Sequence, residues 1–235
     1  MRRIAIAMAV SIAAVGATAT GSTPPEDAAA RAPGVTQAPL PGYPFAPRPC
    51  DRPIRFRRSV ARGKPFAGWL VRAVRLPRDG CDYFTWHPVR ERAPNSFGRR
   101  WGTDYLVRKV LRVLKRFREA HPEAPRIGIG DLSRRHGGIF DERFGGLGHD
   151  SHQNGRDIDI YYPRKDRLER APRRPRQVDR TLSQDLVRRF LAAHIQYIFV
   201  GPRLGLRGPP RIVQSLALHD DHMHLRVHAR KARRR

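Results

Sequence analysis

The sequence has very little cysteine, and it lacks the motifs of several common enzyme classes. Its only two cysteines, Cys50 and Cys81, lie far from the histidine-rich segments, which argues against a cysteine-type zinc site. There is no His-Glu-x-x-His helix motif, no Gly-x-Ser-x-Gly turn and no Walker-type glycine loop. These absences argue against the most familiar arrangements for metalloproteases, serine hydrolases and nucleotide-binding proteins.

Acidic residues are also scarce, and arginine supplies almost all of the positive charge. The chain has 47 Lys and Arg against 21 Asp and Glu, a formal net charge of +26, and only five of these cations are lysine. Guanidinium groups match planar carboxylates and phosphates, so an anionic partner such as nucleic acid, acidic lipid or an acidic cell wall is expected. Charge alone does not choose among them.

Long apolar runs are absent except near the N-terminus. Residues 1–3 are Met-Arg-Arg, residues 4–15 are apolar apart from one serine, and small residues follow, so we expect residues 1–19 to be a signal peptide. An uncleaved anchor is the alternative, and no second candidate span follows. The protein is then exported to the periplasm, the cell wall or the medium, where Cys50 and Cys81 are expected to form a disulfide rather than two free thiols.

Composition and periodicity divide the remaining chain. We predict a flexible linker rich in proline and alanine over residues 20–57, a folded domain over 58–229 and a basic tail over 230–235, with 164–180 as an exposed basic insertion. The domain is predicted to be α+β, with a small, mainly antiparallel sheet flanked by helices and long loops. Helices are predicted from residues 103 or 104 to about 119 and over 183–194, and strands over 68–77, 126–133, 156–163, 196–201 and 222–229.

Histidine and aspartate are concentrated in two segments, "GHDSHQNGRDIDI" (148–160) and "HDDHMHLRV" (219–227). Strand alternation puts Asp157 and Asp159 on one face, and His222 and His224 together on one face of a second strand. A hydrolytic zinc site needs three protein ligands and one open position. Seven residues are candidates for those three places: His149, His152, Asp157, Asp159, His219, His222 and His224.

Residue spacing does not assign their roles. A His-x-His pair on a strand can supply two ligands, or one ligand and a general base. A chance cluster of surface histidines and a metal-storage segment are the alternatives, although storage segments are usually of low complexity and these histidines alternate with core-type apolar residues.

The two segments resemble those of a known peptidase group. "SHQNGRDID" has the His-x-x-Gly-x-x-x-Asp pattern of the zinc peptidases that include D-Ala-D-Ala metallopeptidases, lysostaphin-type enzymes and the hedgehog domain, and "HMH" resembles the second half of that pattern. The chain is most similar to penicillin-insensitive murein endopeptidases, which pair "GHxSHQxGxDxDI" with "HxxHxHxR". The likeness extends to residues 68–77, 101–107 and 130–138, and it covers roughly residues 58–228.

The resemblance implies a hedgehog or D-Ala-D-Ala peptidase-like fold and one zinc ion per chain. It implies His152, Asp159 and His224 as the zinc ligands and His222 as the general base. The other matching residues are implied to assist catalysis, orient the ligands or contact the substrate: His219 as a second catalytic histidine, and His149, Asp157, Ser151 and Asp131. Asp157 favours the endopeptidase branch, because carboxypeptidase and dipeptidase members usually have a small residue there.

The expected function is therefore hydrolysis of peptide cross-links in peptidoglycan by a murein D,D-endopeptidase. A D,D- or L,D-carboxypeptidase that trims stem peptides is one alternative, and a non-enzymatic polyanion-binding protein with a structural metal is another. The expected partners are peptidoglycan and anionic wall polymers, with no specific nucleic acid and no transmembrane anchor after signal cleavage. The chain departs from better-known family members in the 164–180 insertion, the basic tail and the presence of only two cysteines.

Overall fold

The computed structural model describes residues 53–141 and 150–230. It is an α+β fold, as predicted, with two helices and a mostly antiparallel main sheet. The strands are β1 Val60–Lys64, β2 Ala67–Val71, β3 Val74–Arg75, β4 Tyr83–Thr85, β5 Trp101–Gly102, β6 Ile127–Ile129, β7 Asp157–Tyr161, β8 Tyr197–Val200, β9 Val213–Ser215 and β10 His222–Arg226. The helices are α1 Asp104–Ala120 and α2 Arg180–Ala192.

The main sheet has six strands in the order β4-β6-β7-β10-β8-β9. Its central pairs are antiparallel, whereas β4 with β6 and β8 with β9 are parallel pairs at the two edges. The apolar side chains of β7 and β10, including Ile158, Ile160, Met223 and Leu225, belong to the same core as α1 and α2. Because side chains alternate along a strand, the aspartates and histidines of β7 and β10 project from the opposite face.

Helix α1 agrees with the sequence prediction. The Thr103 side chain accepts a hydrogen bond from the Leu106 backbone amide, and the helix ends at Ala120, before His121. Apolar residues three and four positions apart, such as Leu106, Val110 and Leu114, are fully buried. Burying one such side chain stabilises a fold by about 1.5–3 kcal/mol.

Helix α2 begins three residues earlier than predicted. The Asp179 carboxylate accepts a hydrogen bond from the Leu182 amide at 3.0 Å and caps the helix. Ser183, the predicted start, lies within the first turn, and its hydroxyl donates to the Asp179 carbonyl at 2.6 Å. Asp179 and Ser183 are both residue types that commonly cap helices, and in the structure Asp179 is the cap.

The predicted strand over 68–77 is divided into β2 and β3. Arg72 lies between them with a φ of 53°, a left-handed conformation that ends the first strand. β2 pairs with β1, whereas β3 pairs with β5. Residues 69–76 contain no glycine or proline that would mark a break, so the sequence pattern does not reveal it.

The segment 164–180 is exposed over residues 165–170, but its two ends are anchored. Arg164 forms a β-bridge with Val178, and both residues are buried. Val178 is part of the hydrophobic core, which the high charge of the segment did not indicate.

Several predicted features lie outside the described residues: the signal peptide, the Cys50 half of the disulfide, His149, most of the linker and most of the basic tail. They stay predictions. Among the described residues, neither helix combines the length and the apolar character that a bilayer span requires.

Candidate metal centre

The candidate site lies where β7 and β10 run side by side. Their antiparallel register puts His224 directly opposite Asp159. His152 belongs to the turn that precedes β7 and has a φ of 69°, which is uncommon for a residue other than glycine. Gly155 in the same turn has a φ of 72°, and a Cβ atom there would lie 2.5 Å from Leu70 Cδ2. The turn therefore requires the glycine of the His-x-x-Gly pattern.

Two imidazole rings converge on one carboxylate. His152 Nε2 lies 3.4 Å and His224 Nδ1 lies 3.1 Å from Asp159 Oδ1. One ligand atom from each of the three residues falls within 4.8 Å of the others, and all three side chains are buried. The two rings are nearly perpendicular, with centroids 4.8 Å apart.

The far side of each imidazole is held by a protein acceptor. His152 Nδ1 lies 2.5 Å from the Leu132 carbonyl, which can only accept, so Nδ1 carries the hydrogen and Nε2 faces Asp159. His224 Nε2 lies 3.1 Å from Asp157 Oδ1, which leaves Nδ1 for Asp159. Outer acceptors of this kind orient metal-binding histidines. The donor set, two oriented imidazoles and a carboxylate, therefore fits a divalent metal ion.

The charges in the site are strongly coupled. Burial alone would raise the pKa of Asp159, but His152, His224 and His222 hold it well below its ordinary value. The pKa of Asp157 is likewise lowered to about 2, because His224, His152 and Arg226 outweigh the effect of burial. Burial alone would lower the pKa of His224, but hydrogen bonds with the two aspartates raise it to about 9. Both carboxylates are thus ionised at neutral pH, the form that binds cations.

Two further histidines border the ligand cluster. His222 Nδ1 lies 2.7 Å from Asp221 Oδ1, and its Nε2 lies 3.9 Å from Asp159 Oδ1. The His219 ring is 4.8 Å from the His222 ring between centroids, and His219 Nδ1 donates to the Ala217 carbonyl at 2.7 Å. Burial and the neighbouring His222 lower the pKa of His219, whereas Asp221 and Asp159 overcome burial and raise the pKa of His222.

A polar network supports the segment that holds His152. Asp131 is fully buried and accepts a hydrogen bond from Asn95 Nδ2 at 2.9 Å and another from Arg99. The Asp131 carbonyl accepts from the Asp159 amide at 3.0 Å, and the next residue is Leu132. Asp131 therefore sits behind the candidate metal ligands and holds the backbone that orients His152.

A cavity of about 450 Å³ lies beside His222. Tyr161 and Asp221 line it, and both contact His222. Trp86 contributes to another wall, and Arg173 brings part of the 164–180 segment to the cavity. A substrate bound there would meet both aromatic and charged groups.

The structure brings together most of the residues singled out from the sequence. His152, Asp159 and His224 form the ligand cluster, Asp157 contacts His224, and His222 and His219 lie at the border. Asp131 supports the cluster from behind, as described above. Ser151 is half-buried next to His152, and no side-chain hydrogen bond to it occurs among the described residues. His149 lies outside them.

Four residues of the site had been given no role from the sequence: Asn95, Arg99, Asp221 and Arg226. Arg226 Nε donates to Asp157 Oδ1 at 2.6 Å, and its position two residues after His224 on the same strand face was an available clue. Asp221 also had a clue, since it adjoins His222. Nothing in the sequence links Asn95 or Arg99 to this site.

Comparison with known proteins agrees with this arrangement. The sequence profile of the family described as penicillin-insensitive murein endopeptidase matches residues 61–199, more than half of the chain. That match contains His152 and Asp159, and the pairing of β10 with β7 adds His224 from beyond its end. A search of curated proteins finds no match. On the strength of the profile match, the chain belongs to the penicillin-insensitive murein endopeptidase family.

Proposed function

We propose that the protein is an exported, zinc-dependent endopeptidase that cuts the peptide cross-links of peptidoglycan, at the bond between D-alanine and meso-diaminopimelate. One observation carries the proposal: in a member of this family, two oriented imidazoles from distant segments converge on the Asp159 carboxylate. Zinc favours imidazole and carboxylate ligands, and three protein ligands leave one position for water or substrate. His152, Asp159 and His224 would hold the ion.

Zinc bound there supplies a Lewis acid that polarises the scissile carbonyl and makes a nearby water more acidic. The protein's own residues then accept and donate the protons. His222 acts as the general base through Nε2, because its Nδ1 hydrogen is donated to Asp221 and Nε2 lies on the side of Asp159. Asp221 holds the ring in this tautomer, as a carboxylate partner does in other histidine bases.

The two histidines also protonate and stabilise the leaving amine. Once His222 has taken a proton, it can return that proton to the leaving nitrogen, and His219 beside it assists by hydrogen bonding to the reacting group. No step uses a serine nucleophile. β-Lactams inhibit by acylating a serine, so we expect the enzyme to be insensitive to them.

The cavity, the net charge and the expected signal peptide are consistent with a large, anionic substrate outside the cytoplasm. The cavity beside His222 offers space for a peptide next to the base. The net charge of +26 favours adhesion to anionic wall polymers, and such adhesion is expected to weaken as salt increases. The expected N-terminal signal peptide would deliver the enzyme to its substrate.

The test is digestion of purified, cross-linked muropeptides with and without a chelator, followed by mass spectrometry. The wild-type protein should convert dimers to monomers without loss of alanine, and added zinc should restore activity after chelation. His152→Ala should abolish cleavage. His228→Ala is the matched control, since His228 is exposed at the end of the same sheet region and outside the ligand cluster.

Three results would overturn the proposal. Dimers that stay intact when zinc is supplied would exclude the endopeptidase activity. Cleavage that persists in His152→Ala would exclude the metal site. Release of a single alanine from each stem, with dimers left joined, would identify a carboxypeptidase instead.

A further inference from the structure

A second, larger cavity lies apart from the metal ligands. Its volume is about 810 Å³, and none of the candidate metal ligands, His222 or His219 lines it. Arginines dominate its wall, with aromatic rings between them. We call it the arginine cavity and define it by five of its residues: Arg72, Arg75, Arg78, Arg100 and Arg135.

The charge of this cavity exceeds what the composition explains. Arginine makes up less than a fifth of the sequence but half of the described residues that line the arginine cavity. Among the described residues, no acidic side chain lines it, and Arg72, Arg75 and Arg135 form no ion pair with a described carboxylate. Like charges held close together repel, so an anionic occupant would stabilise this arrangement.

Arg100 shows the same imbalance inside the wall. It is buried, and its guanidinium donates to the carbonyls of Leu76 at 2.5 Å and Ser96 at 3.3 Å rather than to a carboxylate. Burial lowers its pKa, and the charges of Arg75 and Arg78 lower it further, with a smaller opposing effect from Asp79. The protein therefore keeps a buried cation close to other cations with only neutral partners for its hydrogen bonds.

Two aromatic rings hold arginines in place and give the cavity an apolar wall. Phe97 and Trp101 pack edge to face with centroids 5.3 Å apart. Arg75 lies 5.0 Å from the Phe97 ring centre, and Arg135 lies 5.8 Å from that of Trp101. The volume lies within the range of organic-ligand sites and is far larger than a single inorganic anion needs. An organic ligand with several carboxylates matches both the charge and the apolar wall.

One short segment links the arginine cavity to the metal centre. The Leu132 carbonyl orients His152, and Arg135, three residues later, lines the cavity. Three residues span at most about 11 Å even when fully extended. A single peptide substrate is long enough to contact both places.

We propose that the arginine cavity binds the free carboxylates of a peptidoglycan stem peptide while the cross-link lies at the metal centre. This inference rests on the proposed function and adds a substrate-binding site to it. Carboxylates fit better than the phosphodiesters of wall polymers or nucleic acid, because the carboxylates of a stem peptide belong to the same molecule as the bond being cut. Arginine forks bind carboxylates with two parallel hydrogen bonds.

The test measures binding separately from hydrolysis. An uncross-linked stem peptide with free carboxylates would be titrated calorimetrically into the full-length protein, and an amidated copy of the same peptide would serve as the comparison ligand. The double variant Arg75→Gln/Arg135→Gln removes two exposed cavity charges. Arg112→Gln/Arg116→Gln removes two exposed charges from α1, outside the cavity, and is the matched control.

We expect the cavity variant to bind the stem peptide about tenfold more weakly than wild type, and the control to stay within twofold. The amidated peptide should bind wild type about as weakly as the carboxylate peptide binds the cavity variant. With a cleavable dimer, the cavity variant should show a raised KM and a kcat within twofold of wild type. Circular dichroism and thermal unfolding would verify that both variants fold.

Equal binding of the amidated and free peptides would overturn the inference. So would a phosphodiester oligomer of equal charge that binds more tightly and loses more affinity in the cavity variant. The titrations would be repeated with His152→Ala, the variant expected not to cleave, so that binding is measured in the absence of hydrolysis. Carboxylate-dependent binding without any cleavage by wild type would keep the cavity assignment and reject the proposed hydrolysis, so the two failures are distinguishable.

Discussion

Replacing Asp131 by asparagine removes a negative charge from a fully buried position behind the candidate metal ligands. The carboxylate accepts hydrogen bonds from Arg99, which is only 2% exposed, and from Asn95. Arg99 has no other described carboxylate partner and packs against the Phe140 ring. The substitution would leave a buried guanidinium with no compensating charge.

The expected cost follows from that burial. Removing one partner of a buried ion pair usually destabilises a protein by about 3–5 kcal/mol, because the remaining charge stays desolvated. Domains are typically stable by about 5–15 kcal/mol, so Asp131→Asn should still fold. For a domain of this size, the loss corresponds to an unfolding temperature lower by about 6–20 °C.

Urea unfolding of the full-length protein, followed by tryptophan fluorescence with a chelator present, measures this loss without the contribution of a bound metal. Asp150→Asn, at an exposed position, is the control and should change stability by less than about 0.5 kcal/mol. Arg99→Met combined with Asp131→Asn removes both charges, and the double variant should be destabilised by much less than the two single losses together.

Two outcomes would refute the reasoning. If the free energy of unfolding of Asp131→Asn stays within about 1 kcal/mol of the wild-type value, the ion pair with Arg99 does not stabilise the fold. If the double variant loses the full sum of the single losses, the two charges are not coupled.

Three further predictions concern helix capping, acid stability and the metal. Asp179→Ala removes the cap of α2 and should cost about 1 kcal/mol in urea unfolding; an unchanged midpoint would contradict the capping role. Burial alone would raise the pKa of Asp185, but hydrogen bonds with Arg189 and His121 lower it, so its stabilisation is present above about pH 4 and lost as pH falls through the lowered pKa. Asp185→Asn should therefore lose less stability than wild type as the pH falls below about 4 in acid titrations, and parallel curves would exclude this. A metal at 100 times its Kd stabilises by about 2.7 kcal/mol, so a chelator should lower the unfolding temperature of wild type by about 5–11 °C and leave that of His224→Ala unchanged; equal shifts would argue against metal binding at this site.

The secondary structure was predicted best where the cap residue and the apolar periodicity indicated the same helix start. The cap at Thr103 and the apolar periodicity of α1 agree, and the prediction was correct almost to the residue. α2 was placed three residues late because Asp179 and Ser183 both resemble caps. The division of residues 68–77 was missed because Arg72 takes the left-handed conformation although arginine is not a residue type that signals a break.

For the site, strand alternation correctly predicted which side chains share a face, and the family resemblance selected three ligands from seven candidates. The resemblance also pointed to Asp131, whose buried position became clear only in the structure. The pairing of Asp131 with Arg99 could not be predicted, because the two residues are 32 positions apart and no sequence pattern connects them.

The sequence by itself determined the family, the α+β class and the two segments that carry the chemistry, because residue type, order and periodicity are local properties. Only the tertiary structure decided that His224 stands opposite Asp159, that the Leu132 carbonyl turns His152 toward the same carboxylate, and that arginines from separate segments surround one cavity. These arrangements depend on strand register and on contacts between distant parts of the chain, and a shift of one residue in register would turn the side chains of a strand to its other face.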